Sequence, residues 1–192
     1  MKVINLSEQD TILSKYMSEV RDVEMQKNRM LFRNNIVRIG HIEAYEISKF
    51  LAYSEKPVTT PLAEAKANTP DDKLVIGTVF RAGLPLHQAF LDTFSEADNA
   101  FVSAYRYYQD KECTKVGVKI EYIASPRLEG KTLIIVDPML ATGESMELAY
   151  KAFCTKGTPD KLLLACVIAS KQGVEYLNTV FPTDDVVLVC GA

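Results

Sequence analysis

The chain has 192 residues, of which 47% are hydrophobic and 24% charged, and its formal net charge is −3. A chain of this length and composition folds around one substantial core, and we expect a single domain over residues 1–192. The slightly acidic balance provides no overall field that would attract nucleic acid or an anionic membrane surface. Any phosphate group must therefore be bound locally, which favours a small anionic ligand over a nucleic acid.

The sequence shows no signal for export or membrane insertion. No apolar run approaches the length of a membrane span, and residues 1–10 lack both a basic flank and an apolar signal core. We therefore expect a cytoplasmic protein. Of the four widely spaced cysteines, Cys166 and Cys190 lie in apolar runs, so we expect small buried side chains there and neither disulfides nor zinc ligands.

The first third of the chain predicts a helical part followed by a linker-like stretch. Residues 24–53 contain a single glycine and no proline, and their apolar residues recur at roughly helical spacing. This pattern predicts a helical N-terminal part. Residues 57–73 are polar and contain three prolines, which predicts a linker-like stretch before the first strong strand.

Short apolar runs recur along the rest of the chain, most of them separated by stretches of helical periodicity. This alternation predicts an α/β fold with a mainly parallel sheet flanked by helices. Because ligands of such sheets bind beyond the carboxyl ends of the strands, the residues that follow Phe80, Ala104 and Val136 are the first candidates for a site. The runs span residues 74–80, 101–104, 133–136, 162–168 and 186–190.

One segment departs from this alternation of strands and helices. Residues 115–122 alternate strictly between polar and apolar side chains, which predicts a half-exposed strand. With Tyr107 and Tyr108 before a polar turn, the segment predicts a protruding β-hairpin arm over about residues 106–124. The arm could be a lid over the site or an edge hairpin without function, and the sequence leaves both open.

The end of the third strand carries the most chemistry. Asp137 follows four apolar residues, and Gly143 and Ser145 open a stretch of helical periodicity. The unpaired amides of a helix start, the close approach that glycine permits, and the hydroxyls of Thr142 and Ser145 all suit a phosphate group. The Asp137 carboxylate can accept hydrogen bonds from sugar hydroxyls. The same residues also suit a capped turn without a ligand, and spacing alone does not decide between the two.

Other motifs for phosphate or catalysis do not fit. No Gly-x-Gly-x-x-Gly follows any predicted strand. Gly130-Lys131-Thr132 lacks the first glycine of a P-loop and precedes its strand, so it predicts a turn. His41 and His87 lie in helical stretches, and we assign them no role.

Residues 136–145, Val-Asp-Pro-Met-Leu-Ala-Thr-Gly-Glu-Ser, resemble the phosphoribosyl-diphosphate signature of the uracil phosphoribosyltransferases. Residues 80–84, Phe-Arg-Ala-Gly-Leu, are similar to that family's Leu-Arg-Ala-Gly-Leu, and Arg106 stands at the spacing of its second arginine. Further matches in the N-terminal part extend the resemblance over almost the whole chain. Glu144 stands where the family usually has a second glycine, and we expect its side chain to point outward.

The resemblance implies a type I phosphoribosyltransferase fold and the transfer of ribose 5-phosphate from 5-phospho-α-D-ribose 1-diphosphate to N1 of uracil, giving UMP and diphosphate. Asp137 and Arg106 are the implied catalytic residues, with Mg²⁺ bound mainly through the diphosphate. Planar arginine side chains suit the diphosphate oxygens. The implied donor-binding residues are Arg81, Arg106, Asp137, Pro138, Met139, Leu140, Ala141, Thr142, Gly143, Glu144 and Ser145.

The resemblance also implies a homodimer or higher homo-oligomer and a GTP activator, while the charge and the apolar runs of the chain predict no nucleic-acid or membrane partner. Besides Glu144, two departures limit the resemblance. The family's glycine-rich C-terminal segment, which holds uracil, has no counterpart before Ala192, so we expect that segment not to be present and assign no residue to the base. The family's lid lysine is also missing from residues 122–126.

Two other functions remain open. A regulator could bind the diphosphate donor without catalysis, and donor binding without turnover would identify it. An RNA-binding regulator could use the same fold, but it requires a clustered basic face. The 22 basic residues of this chain are instead scattered among 25 acidic ones.

Overall fold

The structure, a computed structural model, describes the backbone of residues 1–108 and 116–192 and the side chains of residues 1–103 and 121–192. The helices in this part of the chain are α1 (Ile12–Arg21), α2 (Arg29–Ser48), α3 (Leu84–Thr93), α4 (Glu144–Phe153) and α5 (Lys171–Val180). The strands are β1 (Lys2–Asn5), β2 (Tyr53–Thr59), β3 (Glu64–Pro70), β4 (Leu74–Phe80), β5 (Asp98–Tyr108), β6 (Val116–Ala124), β7 (Thr132–Val136), β8 (Met139–Leu140), β9 (Lys161–Cys166), β10 (Ile168–Ala169) and β11 (Val187–Cys190).

Seven of the strands form one sheet in the order β1-β11-β9-β7-β4-β5-β6. Neighbouring strands are parallel except for β6, which runs antiparallel to β5. The predicted α/β fold with a mainly parallel sheet is therefore confirmed, and the five apolar runs correspond to β4, β5, β7, β9 and β11. The assignment of residues 1–192 to one domain stays a prediction.

Alternate residues of the central strands face two different layers of helices. Ile134 and Val136 of β7 pack in the core that contains α1, α2 and α3, whereas Leu133 and Ile135 pack in the core that contains α4 and α5. Because both faces are covered, β7 is buried along its whole length. Because the central strands are parallel, their carboxyl ends lie at one edge of the sheet.

The predicted helical N-terminal part is confirmed, chiefly as α2. The preceding helix α1 begins at a capping box, in which the Thr11 side chain accepts a hydrogen bond from the Leu13 N–H at 3.2 Å. The edge strand β1 was not predicted, because four mostly exposed residues give little periodicity. No described helix is long and apolar enough to cross a membrane. Cys166 and Cys190 are buried, as predicted.

The prediction of a linker-like stretch over residues 57–73 is wrong. Strands β2 and β3 form an antiparallel hairpin, paired from Tyr53 with Pro70 to Thr59 with Glu64. Thr60 closes the turn by donating its N–H to the Ala63 carbonyl at 3.0 Å. The sequence hid this β2–β3 hairpin because its side chains are mostly exposed, so no apolar alternation marks the strands.

A second hairpin involves the segment predicted as an arm. Strands β5 and β6 pair from Phe101 with Ala124 to Tyr108 with Val116, and the register shifts between Ser103 and Ala104. The predicted strand is thus confirmed as β6. The turn and Cys113 lie outside the described residues, as do the side chains of the arm from residue 104 to residue 120. A lid function stays a prediction.

Candidate functional site

Arg81 and Asp137 follow two neighbouring strands, β4 and β7, at the same edge of the sheet. The two strands are parallel, and Thr78 of β4 is paired with Val136 of β7. Arg81 is exposed, and the peptide bond between Phe80 and Arg81 is cis. Both residues therefore lie at the carboxyl edge of the sheet, where open α/β sheets bind their ligands.

A cavity of about 530 Å³ opens beside Arg81. It is lined by Arg81, by Pro138 and Met139, and by Phe32 and Arg33 of α2. The first predicted arginine and the start of the predicted phosphate loop therefore border one cavity. Its mixture of apolar side chains and permanently charged guanidinium groups suits a ligand that has both a flat apolar part and an anionic part.

The ends of β4 and β7 are tied together below this cavity. The Thr78 hydroxyl donates a hydrogen bond to the Val136 carbonyl at 2.9 Å. A Cβ atom at Gly83 would lie 1.9 Å from the Thr78 oxygen, so the turn between β4 and α3 can approach this hydroxyl only with glycine at this position. These contacts fix the Arg81 turn relative to Asp137.

The 137–145 loop, which consists of residues 137–145, connects β7 to α4. It begins with Asp137, whose N–H donates to the Ala165 carbonyl of β9 at 3.1 Å. The loop encloses a second, smaller cavity of about 50 Å³. A carboxylate, two hydroxyl side chains and the first turn of α4 surround this cavity. Its lining residues are Asp137, Met139, Leu140, Ala141, Thr142, Gly143, Ser145 and Met146.

Gly143 is the residue at which the loop becomes helix. Its φ of 88° lies in the left-handed region, which L side chains rarely adopt. A Cβ atom here would lie 2.7 Å from Cδ1 of Tyr176. Glycine therefore permits both the turn and its packing against α5, and it leaves the N-terminal amides of α4 open toward the small cavity.

Two acidic side chains lie in the first turn of α4: Glu147 is paired within α4 and hydrogen-bonded to α5, and Glu144 is exposed. Glu147 forms an ion pair with Lys151 at 2.6 Å and accepts a hydrogen bond from the Tyr176 hydroxyl. These contacts, Lys151 first, lower the pKa of Glu147. Glu144 is exposed, and its charge is among the causes that raise the pKa of Tyr176, after the bond to Glu147. The outward direction expected for Glu144 agrees with this position.

Asp137 is half-buried at the strand end. Burial raises the pKa of its carboxyl from 3.8 to about 6, although a hydrogen bond from the Met139 backbone offsets part of the shift. Among the side chains that the structure describes, no Lys or Arg forms an ion pair with this carboxylate that would hold its pKa down. Such a group accepts hydrogen bonds strongly from a bound polar ligand, because water competes little in a half-buried position.

The other predicted donor-binding residues differ in how they face the site. Leu140 is 2% exposed and packs in the core, so only its backbone can face a ligand. Met139 is 63% exposed and borders both cavities. Besides Asp137, the half-buried members of the loop are Pro138, Ala141, Thr142 and Ser145.

Arg106 lies in β5, the strand next to β4. Its side chain is outside the described side chains, so its predicted role at the diphosphate stays a prediction. The backbone alone places it beyond Ser103, which is paired with Phe80 at the end of β4.

Sequence reasoning missed the support that α5 gives to the 137–145 loop. Strand β10 pairs with β8 inside the loop, and the Ser170 hydroxyl donates to the Ala141 carbonyl. A Cβ atom at Gly173 would lie 2.7 Å from the same carbonyl oxygen. The available signal was a serine at a helix start followed by a glycine within the first turn, a combination that suits a close backbone approach.

The oxygen atoms available at the site suit a metal ion that binds together with a phosphate-bearing ligand. Within residues 1–103 and 121–192, no three His, Cys, Asp or Glu side chains come together to hold an ion. Mg²⁺ prefers oxygen ligands and is commonly held by one or two carboxylates together with substrate phosphates. The single carboxylate at the end of β7 therefore suits Mg²⁺ carried by a diphosphate.

Comparison with solved structures defines the class of fold. The structure resembles that of the AQ2163 protein from Aquifex aeolicus with a TM-score of 0.84 and 24% identity, over 98% of this chain and 86% of that one. It also resembles the purine phosphoribosyltransferase from Pyrococcus horikoshii with a TM-score of 0.53 and 15% identity, over 81% and 82% of the two chains. The fold is that of the type I phosphoribosyltransferases.

Sequence comparison then defines the family. The sequence model described as "Uracil phosphoribosyltransferase" matches residues 7–192. The uracil phosphoribosyltransferase of Porphyromonas gingivalis is 49% identical over 189 residues, which are 98% of this chain and 87% of that protein. The chain belongs to the uracil phosphoribosyltransferase family.

Proposed function

We propose that the chain transfers ribose 5-phosphate from 5-phospho-α-D-ribose 1-diphosphate, the donor, to N1 of uracil, which gives UMP and diphosphate. The observation that carries this proposal is the 137–145 loop, in which a half-buried carboxylate and an open helix start border one small cavity. Membership of the family supports uracil as the acceptor. The activity would serve pyrimidine salvage.

The loop accounts for the ribose 5-phosphate half of the donor. The 5-phosphate would accept hydrogen bonds from the amides at the start of α4 and from the hydroxyls of Thr142 and Ser145. Asp137 would accept hydrogen bonds from the ribose hydroxyls and hold the sugar in place as positive charge develops on its ring. Much of the catalysis is then placement of the reacting carbon.

The two arginines account for the leaving group. Arg81, and Arg106 from β5, would offer planar cations to the diphosphate oxygens as the bond from the anomeric carbon to oxygen breaks. When bound, Mg²⁺ supplies further positive charge to the same oxygens. The new bond to uracil N1 forms with inversion at the anomeric carbon, and the N1 proton is lost to solvent. No residue is assigned to uracil.

We also propose a cytoplasmic homodimer or higher homo-oligomer with GTP as an activator and without a nucleic-acid partner. The exposed β2–β3 hairpin supports self-association, because Leu62 at its turn is 98% exposed and Val58 40% exposed. Apolar side chains presented together on a projecting hairpin are typical of an interface.

The test is formation of labelled UMP from labelled uracil, donor and Mg²⁺. We expect turnover, and we expect Asp137→Asn to lower kcat/KM for the donor on the order of 100-fold, because it removes the charge that stabilises the developing cation. Asp184→Asn is the matched control, since its side chain is 96% exposed. A version extended at the C-terminus by a family-like segment is tested in parallel.

The outcomes separate the alternatives. Turnover by the extended chain alone would place the base site in the added segment. Donor binding without product in either version would replace the enzyme with a non-catalytic regulator. Failure of both versions to bind the donor would overturn the assignment of the 137–145 loop.

A further inference from the structure

The peptide groups of Leu140 and Ala141 both turn their carbonyl oxygens toward Ser170. The Ser170 N–H donates to the Leu140 carbonyl at 2.9 Å, and the Ser170 hydroxyl donates to the Ala141 carbonyl. The same hydroxyl oxygen accepts a hydrogen bond from the Gly173 N–H at 2.9 Å. Ser170 therefore caps α5 with its oxygen and holds the loop with its proton.

The direction of a carbonyl fixes the direction of the next amide. In a trans peptide the C=O and N–H groups point to opposite sides. With the carbonyls of Leu140 and Ala141 held on the side of α5, the amides of Ala141 and Thr142 face the other side, toward the small cavity that these two residues line. Successive amides on one side form a concave binding arrangement for an anion.

The surrounding packing leaves this loop little freedom to compensate for a lost hydrogen bond. A Cβ atom at Gly173 would lie 2.7 Å from the Ala141 oxygen, and one at Gly143 would lie 3.2 Å from the Gly173 oxygen. The loop backbone thus lies in direct contact with the first turn of α5. Ser170 reaches it from a separation of 29 residues, so no local turn geometry duplicates its contact.

We propose that Ser170 is a positioning residue for the donor phosphate. Its hydroxyl orients the Ala141 peptide so that the Thr142 amide faces the phosphate, without itself touching the substrate. The proposal rests on the proposed function, since it assigns the phosphate to the 137–145 loop. It predicts that Ser170 affects donor binding beyond its contribution as a helix cap.

The experiment compares Ser170→Ala, Ser170→Thr and Thr11→Ala. Loss of one neutral hydrogen bond that orients a binding group should raise KM and Kd for the donor roughly five- to tenfold, with KM for uracil unchanged within about twofold. Ser170→Thr keeps the hydroxyl and should restore both donor constants. Thr11 caps α1 by the same kind of contact, so Thr11→Ala should lower Tm similarly and leave every kinetic constant unchanged.

Donor binding is measured by calorimetry without uracil as well as by kinetics. If Ser170→Ala lowers Tm as Thr11→Ala does but leaves donor KM and Kd unchanged, Ser170 is only a cap and the proposal is overturned. If the unmodified chain binds donor without turnover, the proposal of catalysis fails. The Kd values of the Ser170 variants then still test the positioning role of Ser170. If the unmodified chain does not bind donor, both proposals fall.

Discussion

Two small two-stranded sheets accompany the main sheet. The shorter one is packed against its surroundings, whereas the longer one is mostly exposed. Strands β8 and β10 share two paired positions, whereas β2 and β3 share seven. Yet Leu140 in the shorter pair is 2% exposed, and Leu62 at the turn of the longer pair is 98% exposed. The number of paired positions therefore does not determine how deeply the side chains of a strand pair are packed.

The reason is that a two-stranded ribbon is at best marginally stable in water without further packing. The β8–β10 pair receives that packing from α5, whose Gly173 lies against Leu140 of β8. A binding loop must be held in one conformation before the ligand arrives, because ordering it on binding would weaken affinity. Substitutions in the 137–145 loop and in the β2–β3 hairpin should therefore have very different effects.

The largest effect is expected for Gly143→Ala. The new Cβ would require a left-handed backbone at φ 88° and would lie 2.7 Å from Cδ1 of Tyr176. We expect kcat/KM for the donor to fall on the order of 100-fold, because displacement of a positioned binding loop by about 1 Å has effects of this size. Steady-state kinetics with varied donor measure it.

Gly130→Ala is the matched control. Gly130 also has a left-handed φ, 71°, but a Cβ there would meet nothing within 4 Å. This variant should lose about 1 kcal/mol of stability through backbone strain alone and keep its activity. Equal losses of activity in both variants would show that general destabilisation, and not the packing of the loop, explains the result.

The next effect is the pH dependence of donor use. Burial raises the pKa of Asp137 to about 6, and only the ionised carboxylate accepts hydrogen bonds from both ribose hydroxyls. We therefore expect kcat/KM for the donor to decrease about tenfold per pH unit below about pH 6. The profile of Asp137→Asn should lack this limb. A flat wild-type profile down to pH 5 would contradict the assignment of Asp137.

The sequence predicted the parts of the site that depend on strand ends. The order of apolar runs and turn residues predicts that Arg81 and Asp137 follow strands and that a helix begins near Ser145, but the choice of a phosphate site over a capped turn required the family resemblance. Ser170 could not be predicted in its role, because it meets the loop across 29 residues and helix-capping serines are common. The β2–β3 hairpin was missed since exposed strands carry no apolar pattern.

A third prediction concerns a buried acid at the same edge of the fold. Glu43 of α2 is fully buried, and among the described residues neither of its carboxyl oxygens has a hydrogen-bond partner. Burial raises its pKa well above 4.5, and the nearby Gly191 N–H, which donates its hydrogen bond to the Cys166 carbonyl, offsets only part of the shift. The helical spacing of apolar residues did not indicate that Glu43 is buried, because a single polar residue is compatible with any helix pattern.

We expect Glu43→Leu to stabilise the protein by about 1–3 kcal/mol at neutral pH, because an unsatisfied buried polar group is removed.

Glu43 also makes the stability of the wild-type protein depend on pH. The unfolded chain loses this proton near pH 4.5 while the folded chain retains it, so stability falls as pH rises from 4.5 toward the raised folded pKa. Denaturant unfolding at several pH values measures both effects. Glu43→Gln should abolish this pH slope, and a persisting slope would assign it to another group.

The smallest effect on folding is expected in the β2–β3 hairpin. Leu62→Ser should change the free energy of unfolding of the monomer by less than about 0.5 kcal/mol, because the side chain is 98% exposed. If the hairpin turn packs against a second copy, the same substitution should weaken self-association about tenfold or more, since burial of a leucine contributes roughly 1.5–3 kcal/mol. Sedimentation equilibrium measures the association constant, with the exposed Glu64→Gln as the control. Unchanged association would exclude the hairpin turn from the interface. A clear loss of monomer stability would show that the hairpin is packed within its own chain. The contrast between the β2–β3 hairpin and the β8–β10 pair would then not hold.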